Sequence, residues 1–155
     1  MSVAARSARP ALVSRIIRFF TATHVSLYRL LGGTLVGGSK KLPILLLTTT
    51  GRKSGKQHTT PLYCTLDGDR YIVIASNGGA GALPNWWLNM RKGGTAQVEI
   101  GRKRVQVSAQ VAEGEERARL WSRMVASYPG YDTYQERTSY SIPVVILSPI
   151  TGTVS

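Results

Sequence analysis

The chain is short of several things, and each shortage removes a class of explanation. It has one cysteine, Cys64, among its 155 residues. A single thiol can neither close an intrachain disulfide nor build a cysteine cage for zinc, which suits a reducing compartment. Long apolar runs are missing too. Runs such as Ile44–Leu47 and Val144–Leu147 fall far below the roughly 20 residues that a spanning helix needs. No secretory signal is expected, because Arg15 and Arg18 interrupt the apolar part of the N-terminal segment, so the cytoplasm is the default location. Neither His24 nor His58 has a ligand-spaced partner, and no Ser-His-Asp or Cys-His arrangement offers a nucleophile, so no metal is expected.

The scarcest property is negative charge. Against 20 Lys and Arg stand 8 Asp and Glu, a net charge of +12 at pH 7. All of the acids lie at Asp67 or later, so the first 66 residues carry ten Lys and Arg and no acid. That balance favours anionic partners: nucleic acid, anionic lipid, or a phosphorylated or carboxylated small molecule. A solvated basic surface accounts for most of these cations singly, and less well for so one-sided a half.

What is present reads as one small domain. Residues 1–10, rich in Ser, Ala and Arg, are expected to form a disordered arm. Over 11–31 the apolar residues Leu12, Ile16, Phe20, Leu27 and Leu31 recur near helical spacing, with Arg15, Arg18 and Arg29 between them. This amphipathic helix fits an anionic membrane interface or a cap on the open end of a barrel. Residues 32–155 then form the domain proper. Strands are expected over 43–50, 57–66, 70–76, 95–100, 103–111 and 142–148, with a hairpin signal at Asp67-Gly68. Helices are expected over 84–92 and 113–127, a flexible loop over 77–81 and a polar, Tyr-rich connector over 128–140. Six short strands joined by tight turns give an antiparallel sheet, and closing it into a barrel removes its exposed edges. The expected fold class is α+β, mainly β.

Three segments could carry chemistry. The stretch Thr48-Thr-Thr-Gly-Arg-Lys-Ser-Gly-Lys56 gathers hydroxyls, glycines and three cations in a strand-turn-strand. Glycines let backbone N–H groups approach an anion, and Arg supplies a bidentate fork for phosphate. It is not a Walker loop, since the spacing is one residue short and Gln57 replaces the required hydroxyl. A solvated hairpin remains the other reading. Tyr128, Tyr131 and Tyr134 recur every three residues and so share one side of a helix or turn, either as packing or as a pocket wall. Of Trp86 and Trp87, on opposite helix flanks, one is expected in the core and one facing a ligand. Cys64, mid-strand, is expected to be a buried thiol.

The string Leu-Leu-Thr-Thr-Thr-Gly-Arg-Lys-Ser-Gly, then Pro61-Leu-Tyr63, Ile-Ala-Ser-Asn-Gly-Gly79, Trp86-Trp-Leu-Asn89 and Tyr128-Pro-Gly-Tyr-Asp-Thr-Tyr134, resembles the deazaflavin (F420)-dependent nitroreductase family of actinobacteria. The likeness runs from about Tyr28 to Pro149. It implies a six-stranded split β-barrel of the FMN-binding and pyridoxamine-phosphate-oxidase type with flanking helices. It also implies F420 as hydride carrier, with a quinone (menaquinone-like) or nitroaromatic acceptor. By this resemblance Thr50, Gly51, Arg52, Lys53 and Ser54 would hold the cofactor phosphate, and Lys56 its acidic tail. Pro61, Leu62 and Tyr63 would border the deazaflavin ring. Backbone groups of Ala75, Ser76, Asn77, Gly78 and Gly79 would meet its pyrimidine edge, and Trp86 and Asn89 would close the phosphate side. Ser76, Tyr63, Tyr128, Tyr131 and Tyr134 would form the acceptor pocket. Two departures stand out: Asn77 where relatives often have Lys, and Leu83-Pro84-Asn85 where Asn-Pro-x is more usual.

Three alternatives stay open at this level. The barrel could bind FMN, it could be a basic barrel for single-stranded nucleic acid, or it could be a non-catalytic protein on a membrane surface. Against nucleic acid, the aromatics cluster near Trp86 and in 128–140 instead of alternating with Lys and Arg on strands. The oligomeric state cannot be read from the sequence.

Overall fold

The computed structural model describes Gly38–Ser39 and residues 42–150, so the arm expected over 1–10 and the helix expected over 11–31 lie outside the described residues. The strands are β1 (Gly38–Ser39), β2 (Leu42–Thr50), β3 (Gln57–Tyr63), β4 (Thr65–Asp67), β5 (Arg70–Ile74), β6 (Thr95–Ile100), β7 (Lys103–Val111) and β8 (Val144–Pro149). The helices are α1 (Asn85–Met90), α2 (Gly114–Ser127) and α3 (Gly130–Glu136), with a 3-10 turn at Asn77–Gly79.

Every strand pairing is antiparallel, and the sheet runs β3-β2-β6-β7-β8-β5-β4, with β1 also on β2. The two ends of this path, β3 and β4, are consecutive in the chain. The sheet therefore curls on itself as an open half-barrel. Among the described residues no backbone ladder joins β3 to β5, and that seam stays split. Beside the two-residue β1 the sheet has seven strands, not the six expected. The extra one arises at Cys64. Its N–H still bonds back toward β2, to the Pro43 carbonyl at 2.9 Å, and from Thr65 the chain pairs with β5 instead. One extended segment thus serves two partners. The connector over 128–140 contains α3, so of the helix or turn that its tyrosine spacing allowed the helix is the one formed.

Strand periodicity builds two cores. Tyr71 and Val73 of β5, with Val145 and Leu147 of β8, point into the barrel beside Leu45, Leu47, Val98 and Trp86. Ile72 and Ile74, with Val144 and Ile146, point outward and are covered by Leu120 and Met124 of α2 and by Tyr131 of α3. Both strands are buried on both faces, which is why they read as unbroken apolar runs. Leu120 and Met124, four apart, share one helix face.

A charge cluster fastens α2 to the β4–β5 hairpin, whose tight turn uses Gly68 at φ +64°. The Asp67 carboxylate accepts from Arg70, from Arg119 at 2.9 Å and from Arg123 at 3.0 Å. Arg70 also reaches Glu116 at 3.3 Å, and Arg123 donates to the Leu66 carbonyl at 2.7 Å. Hydrogen bonds from Arg119 and Arg70 hold the Asp67 carboxyl far below the usual carboxylate range. A lowered folded-state pKa adds stability above the unfolded value, about 3.9, that is lost as pH falls toward the folded one. Asp67→Asn should therefore lower Tm by a few degrees, roughly 2–4 °C, at pH 7. Its deficit against wild type should shrink as melts are repeated at pH values progressively below 4. An undiminished deficit in acid would mean that the carboxylate charge is not what fastens α2.

Candidate active site

Two clefts open along β3. The first, about 430 Å³, lies over the β2–β3 turn and α1. The turn is closed by Gly51 N–H to Lys56 O at 2.7 Å and Gly55 N–H to Gly51 O at 2.9 Å. A methyl on Gly51 would come within 2.7 Å of Ser54 Oγ and 3.1 Å of His58 Nε2, so the turn packs this tightly only around glycine.

Arg52 is the ordered cation of this cleft. Asn85 and Asn89, one turn apart on α1, aim their side-chain oxygens at it. Arg52 Nη1 donates to Asn89 Oδ1 at 3.0 Å and to Asn85 Oδ1 at 3.4 Å, and the Arg52 backbone N–H donates to Asn89 Oδ1 at 3.1 Å. Asn89 Nδ2 in turn donates to the buried Thr49 Oγ1 at 3.1 Å, which fixes the way round of its amide. Both partners of the guanidinium are neutral. Among the described residues no carboxylate pairs with Arg52, Lys53 or Lys56, whereas Arg70, Arg119 and Arg123 share Asp67. The result is a held guanidinium with its charge uncompensated, which is what an anion-binding site requires.

The second cleft, about 270 Å³, is lined by β3 on one side and by the end of β5, the 3-10 turn and three tyrosines on the other. Thr60 and Trp86 line both clefts, so the two form one groove. Pro61 lies on β3 at the seam, where the missing N–H costs no ladder bond on the open side. Gly78, at φ +61°, lines the groove with nothing within 4 Å of the methyl it lacks. Backbone can thus approach a bound molecule there.

The aromatic wall is tightly knit. The Tyr128 and Tyr134 hydroxyls meet at 3.0 Å. Tyr131 stands edge-on to both rings, at 5.0 Å and 6.2 Å, and Tyr63 faces Tyr128 at 6.0 Å. The Tyr134 hydrogen bond raises the Tyr128 phenol above its usual range, and burial raises Tyr131. Both are protonated donors at neutral pH. Cys64, fully buried, is pushed up to about 12 by desolvation and stays a thiol.

Of the residues singled out from sequence, Gly51, Arg52, Lys53, Ser54 and Asn89 line the first cleft. Pro61, Leu62, Tyr63, Ser76, Asn77, Gly78, Tyr128, Tyr131 and Tyr134 line the second, and Trp86 lines both. Thr50, Lys56, Ala75 and Gly79 line neither. Thr50 and Lys56 are exposed at the stem of the turn. Ala75 is buried and gives its N–H to Pro143 O at 3.0 Å, and Gly79 sits beneath Tyr134. Asn77, at φ +51°, donates from Nδ2 to the Ala82 carbonyl at 3.1 Å, so it fastens its loop where a lysine would bring charge. Sequence reasoning missed Thr49, His58, Thr60 and above all Asn85, although its four-residue spacing from Asn89 was a signal.

The sequence profile of the F420H(2)-dependent quinone reductases matches residues 20–149. The chain belongs to that family. A protein of Mycobacterium tuberculosis H37Rv assigned by name to these reductases is 42% identical over 113 residues, which is 73% of this chain and 95% of its own. A second from that strain, named F420H(2)-dependent quinone reductase, is 38% identical over 109 residues, 68% of this chain and 73% of its own. The solved structure titled F420-H2 Dependent Reductase (FDR-A) is 40% identical with a TM-score of 0.63, over 68% of this chain and 94% of that one.

The groove fits the family's cofactor on its own chemistry. F420 has a flat ring and a phosphate with an acidic tail. The groove joins an apolar, aromatic slot to an uncompensated guanidinium flanked by Lys53 and hydroxyls. If the free charge of Arg52 is what an anion meets, Asn85→Asp, which keeps the hydrogen bond but adds a carboxylate, should weaken F420 binding. We expect roughly two- to fivefold at low salt, shrinking as salt screens both terms. A titration in which Asn85→Asp binds F420 as tightly as wild type would exclude that role.

Proposed function

We propose that reduced F420 lies along the groove with its anionic part at Arg52, Lys53 and Ser54, and that the quinone enters between Tyr63, Tyr128 and Tyr134. Hydride transfer from reduced F420 to a quinone is the reaction of the family to which this enzyme belongs. The observation that carries the assignment of ends is the sharing of Thr60 and Trp86 by the two clefts. A molecule that spans both clefts with its phosphate at the basic one presents its ring at the aromatic one.

When bound, reduced F420 supplies the hydride. The chain supplies position and electrostatics. Arg52 and Lys53 anchor charge, with Lys56 at the stem of the turn available to an acidic tail. Pro61, Leu62 and Trp86 border the ring, and the backbone of 76–78 lines its edge. Tyr128 and Tyr134 donate a hydrogen bond to the acceptor oxygen as it gains negative charge. Ser76 lies on the same wall. The proton that completes the quinol is drawn from solvent at the open mouth. A nitroaromatic acceptor would use the same donors, and a menaquinone-like acceptor would place the enzyme at the cytoplasmic face of an anionic membrane through residues 11–31.

Side-by-side titration with F420, FMN and FAD tests the cofactor. F420 should bind most tightly and weaken with salt; equal or stronger FMN binding would overturn the assignment. For the acceptor end, Tyr134→Phe should lower turnover of a menaquinone analogue and of a nitroaromatic compound about tenfold with F420 affinity nearly unchanged. Full turnover by Tyr134→Phe would move the acceptor elsewhere. Vesicle co-sedimentation should require anionic lipid and fall when residues 1–31 are deleted. Lipid binding that survives the deletion would reject the membrane role of that segment.

A further inference from the structure

Tyr128 and Tyr134 meet hydroxyl to hydroxyl although they belong to different elements. Tyr128 ends α2 with an extended backbone, φ −144° and ψ 92°, and Tyr134 lies within α3. Two large rings converge this way only where something small lies against each. A methyl on Gly130 would sit 2.6 Å from Cε1, 2.7 Å from Cζ and 2.9 Å from Oη of Tyr128. A methyl on Gly79 would sit 2.4 Å from Cδ1 and 2.7 Å from Cε1 of Tyr134. Carbon atoms in good contact lie about 3.5–4.0 Å apart, so neither position admits a side chain while its tyrosine stays in place. Close fit is not general among the glycines: Gly55, Gly68, Gly81 and Gly93 have nothing within 4 Å.

The two positions differ in a useful way. Gly79 has φ +76°, a conformation alanine rarely adopts, so its backbone needs glycine as well. Gly130 is helical and its φ is not positive, so alanine suits the backbone there. The clash at Gly130 falls on the far end of the Tyr128 ring, the end that carries the hydroxyl. A methyl at 130 would therefore push the outer end of the Tyr128 ring aside and carry its hydroxyl with it.

We propose that Gly130 and Gly79 are positioning residues of the acceptor pocket, holding Tyr128 and Tyr134 as one hydrogen-bonded unit and not as two independent donors. This rests on the tyrosine-lined cleft being the acceptor site. Within the unit one hydroxyl proton lies between the two oxygens, and the other is free to point into the cleft. Loss of either hydroxyl, or displacement of one, disables the same device. The arrangement also ties the turn that carries Ser76, Asn77 and Gly78 to the tyrosines, through Gly79 beneath Tyr134.

The test measures steady-state reduction of a menaquinone analogue by the full chain with reduced F420, beside an F420 titration and a thermal melt. The variants are Gly130→Ala, Tyr128→Phe, Tyr134→Phe and their pairwise combinations. Gly130→Ala should stay folded with its Tm lowered by no more than a few degrees, keep its F420 Kd within about twofold and lose about tenfold in kcat. Adding Tyr134→Phe to Gly130→Ala should change kcat by less than about twofold, and the double Phe variant should be no worse than either single one. If the Phe variants lose turnover but their losses multiply, or if Gly130→Ala keeps full kcat, the proposal is overturned while the acceptor site stands. If both Phe variants keep full turnover, the acceptor site falls and the proposal with it. Should Gly130→Ala fail to fold, adding Tyr128→Ala must restore folding by removing the ring it strikes. A double variant that stays unfolded makes Gly130 a backbone requirement and overturns the proposal.

Discussion

The N–H of Cys64 bonds to the Pro43 carbonyl at 2.9 Å, and one residue later the chain leaves β2 for β5. That exchange of partners brings the two ends of the sheet together without pairing them. A closed ladder between β3 and β5 would satisfy more backbone, yet it would also erase the groove. The split seam leaves β3 as an edge on its inner side, tolerates Pro61 there, and exposes the flank along which both clefts open. Complete burial of Cys64 keeps this corner dry and its thiol unreactive.

Charge is then placed by contrast. On the α2 side, Asp67 gathers three guanidinium groups and, with Glu116 on Arg70, offsets part of their charge. On the α1 side, Arg52 is held instead by amide oxygens, which orient a cation without cancelling it. The same residue type is structural in one place and available to an anion in the other, and the difference lies in whether carboxylates or amides hold it. Thr49, buried behind Asn89, gives the amide its orientation, so an interior hydroxyl reaches the surface charge through one side chain.

Much of this was legible in the sequence, and the exceptions have physical causes. Unbroken apolar runs over 71–74 and 144–147 located the two strands buried on both faces, and Asp67-Gly68 located the hairpin that leads into the first of them. The Gly51–Lys56 turn was legible as a possible anion site because hydroxyls, glycines and cations coincide there. The break at Cys64 was not legible, since nothing between Gln57 and Leu66 other than Pro61 interrupts an extended segment; the change is one of partner, not of conformation. Helix α3 was legible only as one of two options, since tyrosines three apart fit a helix or a turn alike; proline at its start is compatible with the helix. Asn85 was missed although its spacing from Asn89 was a signal, because its contact with Arg52 exists only once the β2–β3 turn is folded against α1.

The central claim is that one continuous groove binds cofactor at a basic end and acceptor at a tyrosine end. A crystal structure of the chain with F420 tests it most directly. The account predicts phosphate density within hydrogen-bond distance of Arg52 and Lys53, and ring density beside Trp86 and Thr60, next to the tyrosine pair. Phosphate density at any other place on the protein, or a ring lying outside the seam between β3 and β5, would contradict it.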